Sequence, residues 1–159
     1  MVIFGIDPGF DRVGWGVIDR DLHQVTYIAC GIIQTNKSDS YLTRLQHVAI
    51  QLREVLKEYD PAVIVIESLF FATNKKTAID VAQARGAILL TCMETGSEIQ
   101  EFTPLQIKSR VTGDGHADKR AVEKMVRLQL KDVPEKLVDD TLDALACALA
   151  SSQQAFESL

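Results

Sequence analysis

The stretch VIVIES, residues 63–68, decides the fold. Val63, Ile64, Val65 and Ile66 form an unbroken β-branched run with no polar alternation, which predicts a strand covered on both faces, as in a parallel sheet. Glu67 then closes the strand with a carboxylate, a costly group to bury unless something compensates its charge. Working outward, VIFGID at the N-terminus reads as a first strand and ends at a second acid, Asp7, before a Pro-Gly turn. If these two strands lie side by side in parallel, Asp7 and Glu67 emerge at the same C-terminal edge, where α/β sheets place ligands.

The remaining pattern completes a mixed α/β domain. VGWGVID and QVTYIACGIIQT follow the first strand after short turns, giving an antiparallel meander. Helical apolar spacing marks residues 41–60, with Pro61 beyond the end, and residues 74–94, with Gly96 as the stop. EIQEFT supplies a fifth strand, Pro104 opens a short helix, a basic helix is expected over 119–131, and a last helix over 138–150. The expected architecture is therefore a five-stranded sheet flanked by helices, in one domain over residues 1–151 with a frayed polar tail at 152–159.

Composition narrows the functional classes. The 159 residues suffice for a core without metal or disulfide staples. Cys30, Cys92 and Cys147 are odd in number and form no C-x-x-C pair, so reduced thiols in a cytoplasmic protein are expected. The N-terminus has no basic leader before an apolar segment, and no run reaches membrane-spanning length, so neither a signal peptide nor a membrane partner is expected. The net charge of −5 argues against a generally basic nucleic-acid binder. Yet residues 108–131 hold seven basic residues against three acids, a local excess of +4.

The final helix supplies two more acids. In VDDTLDALACALA, Val138, Leu142, Leu145 and Leu149 form one apolar stripe, while Asp140 and Asp143 lie about 60° apart on another part of the surface. Cap and dipole chemistry accounts for Asp139 and for Asp140 in a first turn, but poorly for Asp143. Asp7 taken alone is a turn former, and Glu67 taken alone is a strand-end residue in water. Together, four carboxylates repel one another unless they protonate or bind cations. Hard divalent ions suit such oxygen clusters, and two ions about 3.5–4 Å apart activate a water and stabilise the leaving oxygen of a phosphodiester. His23, His47 and His116 are scattered without ligand spacing, which disfavours zinc.

GIDPG (5–9), VIVIES (63–68), QARGA (83–87), TPLQIKSRVTGDGHADKRAVEKMV (103–126) and DDTLDALACALA (139–150) together resemble the RuvC family of bacterial Holliday-junction resolvases, in order along nearly the whole chain. The resemblance implies a ribonuclease-H-like fold, a homodimer and Mg²⁺-dependent nicking of four-way junction DNA. Asp7, Glu67, Asp140 and Asp143 match its catalytic, metal-holding carboxylates, with two Mg²⁺ expected per site and Mn²⁺ as a substitute. It also implies Lys108 and Lys119 beside the scissile phosphate. Phe70 and Phe71, just after Glu67, read either as core or as aromatics stacking on unpaired junction bases, and the resemblance favours Phe70 for stacking. The 74–94 helix matches its dimer element, and the RuvA-RuvB branch-migration complex is an implied partner. Lys75, Lys76, Arg110, Arg120 and Lys124 are the further expected DNA contacts. A stripe of Arg120, Lys124, Arg127 and Lys131 on the basic helix would form a phosphate track with salt-sensitive binding.

Two other classes share parts of this pattern. Sugar-kinase and actin-like phosphotransferases also begin with a strand, an Asp-x-Gly turn and a hairpin, but they need a second domain, and no G-x-x-x-x-G-K-[ST] loop is present. A non-catalytic junction-binding module would not require all four acids.

Overall fold

A computed structural model describes residues 1–68 and 75–152, with residues 75–78 described through their backbone. The elements in chain order are β1 (Val2–Asp7), β2 (Arg12–Arg20), β3 (Val25–Gln34), α1 (Tyr41–Tyr59), β4 (Val63–Glu67), α2 (Lys75–Met93), β5 (Glu98–Phe102), α3 (Pro104–Thr112), α4 (Lys119–Gln129), β6 (Leu130–Lys131) and α5 (Asp139–Ser152). The strands form one sheet in the order β5-β4-β1-β2-β3-β6. β1, β2 and β3 are the antiparallel meander, and β4 joins β1 in parallel, with Ile6 opposite Ile66. β5 extends the parallel half beside β4.

A sixth strand corrects the expected five. Leu130 and Lys131 leave the basic helix and pair in parallel with Val25 and Thr26 of β3. Burial of Leu130 draws the chain to the sheet, and the positive φ of 62° at Asp132 turns it away again. A two-residue strand has no periodicity to read, so the sequence shows it only as the end of a helix.

The sheet divides the core into two layers. Phe4, Ile6, Ile64 and Ile66 face α1 and α2 with Val48, Leu52, Leu56 and Ile88. Ile3, Val63 and Val65 face the opposite layer of α3, α4 and α5, with Ile107, Val126, Leu145 and Leu149. Helix ends follow local chemistry. Ser40 caps α1, Asp118 caps α4 by accepting from the Ala121 amide at 2.8 Å, and Thr103 and Gln106 form a reciprocal capping box on α3.

α5 is the central helix of its layer, buried on nearly every side from Thr141 to Ser152. The small residues of β1 and β2 make this possible. A Cβ on Gly5 would stand 2.0 Å from the Ala144 carbonyl oxygen, and one on Gly14 would stand 2.1 Å from that of Asp140. With Gly16 against Leu145, these positions form a trough in which α5 lies directly on the sheet. Ser152 remains in the helix, buried, its hydroxyl donating to Leu149 O at 2.7 Å, one residue beyond the expected domain boundary. Among the described residues, no helix is long and apolar enough to cross a membrane.

Candidate active site

Strand parity aims the first two acids. Successive side chains alternate faces, so Asp7 shares the face of Ile3 and Gly5, and Glu67 that of Val63 and Val65. That is the α5 face. Asp140, in the first turn of α5, lies over Gly14, the residue paired with Asp7 across β1 and β2. Asp143 follows one turn later. The trough, the parallel pairing of β1 with β4, and the start of α5 thus bring residues 7, 67, 140 and 143 to one place.

The electrostatics record that convergence. Burial, then Asp143 and Asp140, push the Asp7 carboxyl from 3.8 up to about 6, against the pull of Lys119. Burial, then Asp7 and Asp143, raise Glu67 from 4.5 to about 7, against Lys108. Asp143 is also raised, chiefly by burial, although Lys119 opposes it. Behind them Cys147 is fully buried, and burial together with Glu67, Asp7 and Asp143 holds its thiol far above the ordinary range.

Two lysines face the acids. Lys119 Nζ lies 3.4 Å from both Asp139 Oδ2 and Asp143 Oδ2, and it is 61% exposed, so these contacts are loose and cheap to exchange. Burial works to lower the Lys119 pKa but is outweighed by Asp143 and Asp139, which keep the amine charged. Lys108 joins Lys119, Glu67 and Asp143 around a cavity of about 200 Å³ whose other walls are Pro104, Ile107, Val122 and Ala146. On the far side of Asp7 and Asp140, a second cavity of about 390 Å³ is bounded by Gly9, Phe10, Asp11, Arg12, Asp80 and Val81.

The donor set fits a hard cation. Asp140 Oδ2 is buried and accepts no hydrogen bond; Arg12 Nε stands 3.2 Å away, close enough for an ion pair but off line for a hydrogen bond. An acidic oxygen left in that condition, beside carboxyls raised by burial and then by mutual repulsion, is suited to an oxygen-seeking divalent ion. Among the described residues, no three His, Cys, Asp or Glu side chains are already arranged to hold one. Closure of the ligands around an ion would therefore involve side-chain movement.

The other expected site residues separate into groups. Arg120 and Lys124 are exposed on α4, one turn apart and on the helix that carries Lys119. Arg110 instead packs its guanidinium 4.5 Å over the Phe102 ring and donates to Ala150 O at 3.4 Å, which places it in the support of α5. Arg127 pairs with Glu123 and donates to Pro134 O and Glu135 O, tying down the approach to α5. Lys131 belongs to β6, which breaks the expected four-residue stripe. Asp114, an acid in the loop before α4, accepts from the His116 amide at 2.9 Å and so shapes the turn. Phe70 and Phe71 lie outside the described residues, and Lys75 and Lys76 are described only as backbone in the first turn of α2. Sequence reasoning missed Arg12 and the glycine trough. The trough had a signal, since glycines inside a strand mark close backbone approach.

The family model for crossover junction endodeoxyribonuclease RuvC matches residues 3–151. The crossover junction endodeoxyribonuclease RuvC of Thermosipho melanesiensis is 45% identical over 150 residues, 93% of this chain and 94% of that protein. The protein of the same name from Caldicellulosiruptor saccharolyticus is 42% identical over 152 residues, 94% of this chain and 90% of that protein. Among solved structures, Thermus thermophilus RuvC in complex with Holliday junction substrate is similar, with a TM-score of 0.89 and 30% identity over 98% of this chain and 94% of that one. The yeast mitochondrial resolvase Ydc2, 13% identical with a TM-score of 0.71, shares the fold.

Proposed function

This chain belongs to the RuvC family of crossover junction endodeoxyribonucleases, and from that premise we propose that it resolves Holliday junctions by paired, divalent-cation-dependent nicks in opposing strands, leaving 5′-phosphate and 3′-hydroxyl ends. The observation that best supports this reading is the meeting of four carboxylates from β1, β4 and α5 opposite Lys108 and Lys119.

Asp7, Glu67, Asp140 and Asp143 would hold two Mg²⁺, with Mn²⁺ as a substitute. Bound there, such a pair would make an attacking water more acidic and would offset the charge that develops on the leaving oxygen. The protein's own groups do the rest. Lys119 exchanges its loose contacts with Asp139 and Asp143 for a phosphate oxygen, acting as a point charge. Lys108 balances Glu67 and faces the same phosphate. Ile107, Val122 and Ala146 give the cavity an apolar wall that thins the water around these charges and strengthens their action. Arg120 and Lys124 continue the basic face along α4 as backbone contacts. Phe70 is assigned to base stacking by family likeness, and Phe71, Lys75 and Lys76 to neighbouring DNA contacts by residue type and their place in the sequence after Glu67.

A second copy of the chain fits the outer face of α2. Ile79, Ala82, Gln83, Gly86, Leu90 and Met93 are exposed along one helical stripe, and the three large apolar members are 68%, 62% and 66% exposed. A stripe of this kind is the seam of a helix pair. A homodimer built on it would present two sites to a two-fold symmetric junction. The RuvA-RuvB complex as partner, and a cytoplasmic location, follow from family likeness.

The deciding experiment measures nicking of a synthetic four-way junction with Mg²⁺, beside linear duplex DNA and an ATP hydrolysis control. Selective, symmetric, Mg²⁺-dependent nicks are expected. Equal cutting of linear duplex, or no cutting with intact junction binding, would refute the assignment.

A further inference from the structure

Arg12 stands outside every role assigned above. It opens β2, on the same strand face as Gly14 and Gly16, and therefore lies toward α5. Gly14 pairs with Asp7 and carries the Asp140 backbone directly upon it, so an arginine two residues earlier reaches the Asp140 carboxylate. Its Nε is 3.2 Å from Oδ2. The neighbouring acid, Asp11, is already matched by Lys37 at 3.0 Å and by Arg44. On the opposite side, Lys119 answers Asp139 and Asp143, leaving Asp140 to Arg12. Arg12, Asp7 and Asp140 also line one cavity of about 390 Å³.

We propose that Arg12 is a built-in counter-ion which competes with a divalent cation for Asp140. The ion and the guanidinium seek the same oxygen, so loading the site means moving Arg12 aside. The geometry allows it. Arg12 is 53% exposed and makes an off-line ion pair rather than donating a locked hydrogen bond, so release costs little. A third cavity, lined by Asp11, Arg12, Gln34, Thr35, Asn36 and Lys37, lies beside it to receive the displaced side chain. The metal-free protein thus keeps one of its acids neutralised at the cost of weaker ion binding.

This inference rests on the ion site proposed above, and Mn²⁺ binding without DNA separates the two. Free Mn²⁺ would be followed by electron paramagnetic resonance in titrations of the full chain, with circular dichroism to verify folding. Arg12→Gln should tighten Mn²⁺ binding about two- to fivefold, as expected for removal of a half-exposed ion pair. Arg12→Lys, which keeps the charge but loses the guanidinium, should fall between. Lys37→Gln removes an equal charge nearby without touching Asp140 and should change the affinity less than twofold. An unchanged or weakened affinity in Arg12→Gln overturns the competition, as does an equal gain in Lys37→Gln, which would reduce the effect to net charge. Failure of the unaltered chain to bind Mn²⁺ overturns the ion site together with the inference.

Discussion

Replacing Asp7 with asparagine should stabilise the metal-free protein while abolishing cleavage. The folded carboxyl titrates at about 6 against an ordinary 3.8, chiefly because it is buried and because Asp143 and Asp140 repel it. At about 1.36 kcal/mol for each pH unit between the two values, ionised Asp7 costs roughly 3 kcal/mol at pH 8. The sign follows from proton binding: between the two values the folded chain holds more protons than the unfolded one. Stability is therefore fully present below the ordinary carboxylate range and is lost as pH rises through about 6. Asparagine removes the charge but leaves a partly buried amide, so the net gain is about 1–2 kcal/mol. For a domain of this size that raises Tm by about 2–8 °C. Scanning calorimetry in chelator should show the gain at pH 8 and its disappearance near pH 4.5. Saturating Mg²⁺ should narrow the gap at pH 8, because a bound ion stabilises only the fold that carries its ligands. Junction nicking should be lost and junction binding in Ca²⁺ retained. A variant no more stable than the parent at pH 8, or a gain that persists at pH 4.5, would refute the electrostatic account, and normal nicking would remove Asp7 from the chemistry.

Lys119→Gln should lower the single-turnover nicking rate by about 10²- to 10³-fold with junction affinity nearly kept, since the lost charge acts on the reacting phosphate; an unchanged rate would make it a surface lysine. Gly14→Ala pushes a methyl to within 2.1 Å of the Asp140 carbonyl oxygen, so α5 must lift; urea titration should show a loss of about 1–3 kcal/mol and Mn²⁺ affinity should fall with it. Leu90→Arg, on the exposed stripe of α2, should give a folded monomer by light scattering that binds junctions but no longer makes paired nicks.

Much of this arrangement is legible in the chain itself. VIVIES and GIDPG carry enough pattern to pair β1 with β4 in parallel, and strand pairing then places Asp7 beside Glu67 without further information. Ala144, Ala146 and Ala150 likewise signal that α5 lies close to its neighbours, as it does. Local periodicity fails where partners are distant. Arg110 reads as one more basic residue, but the ring of Phe102 and the end of α5 claim it. Arg127 is taken by carbonyl groups after β6. The contact of Arg12 with Asp140 spans most of the sequence and exists only because Gly14 lets α5 settle on β2. Such charges are assigned by tertiary contact, which no helical stripe reveals.

Cys147 sits behind the acids with its thiol held far from ionisation. Peroxides and alkylating agents attack sulfur as the thiolate, and burial denies them access as well. Burial first, and then the same negative charges that make the pocket hungry for cations, keep the one sulfur in the helix beneath it protonated. A thiol so placed is a poor target for reagents that need an accessible thiolate.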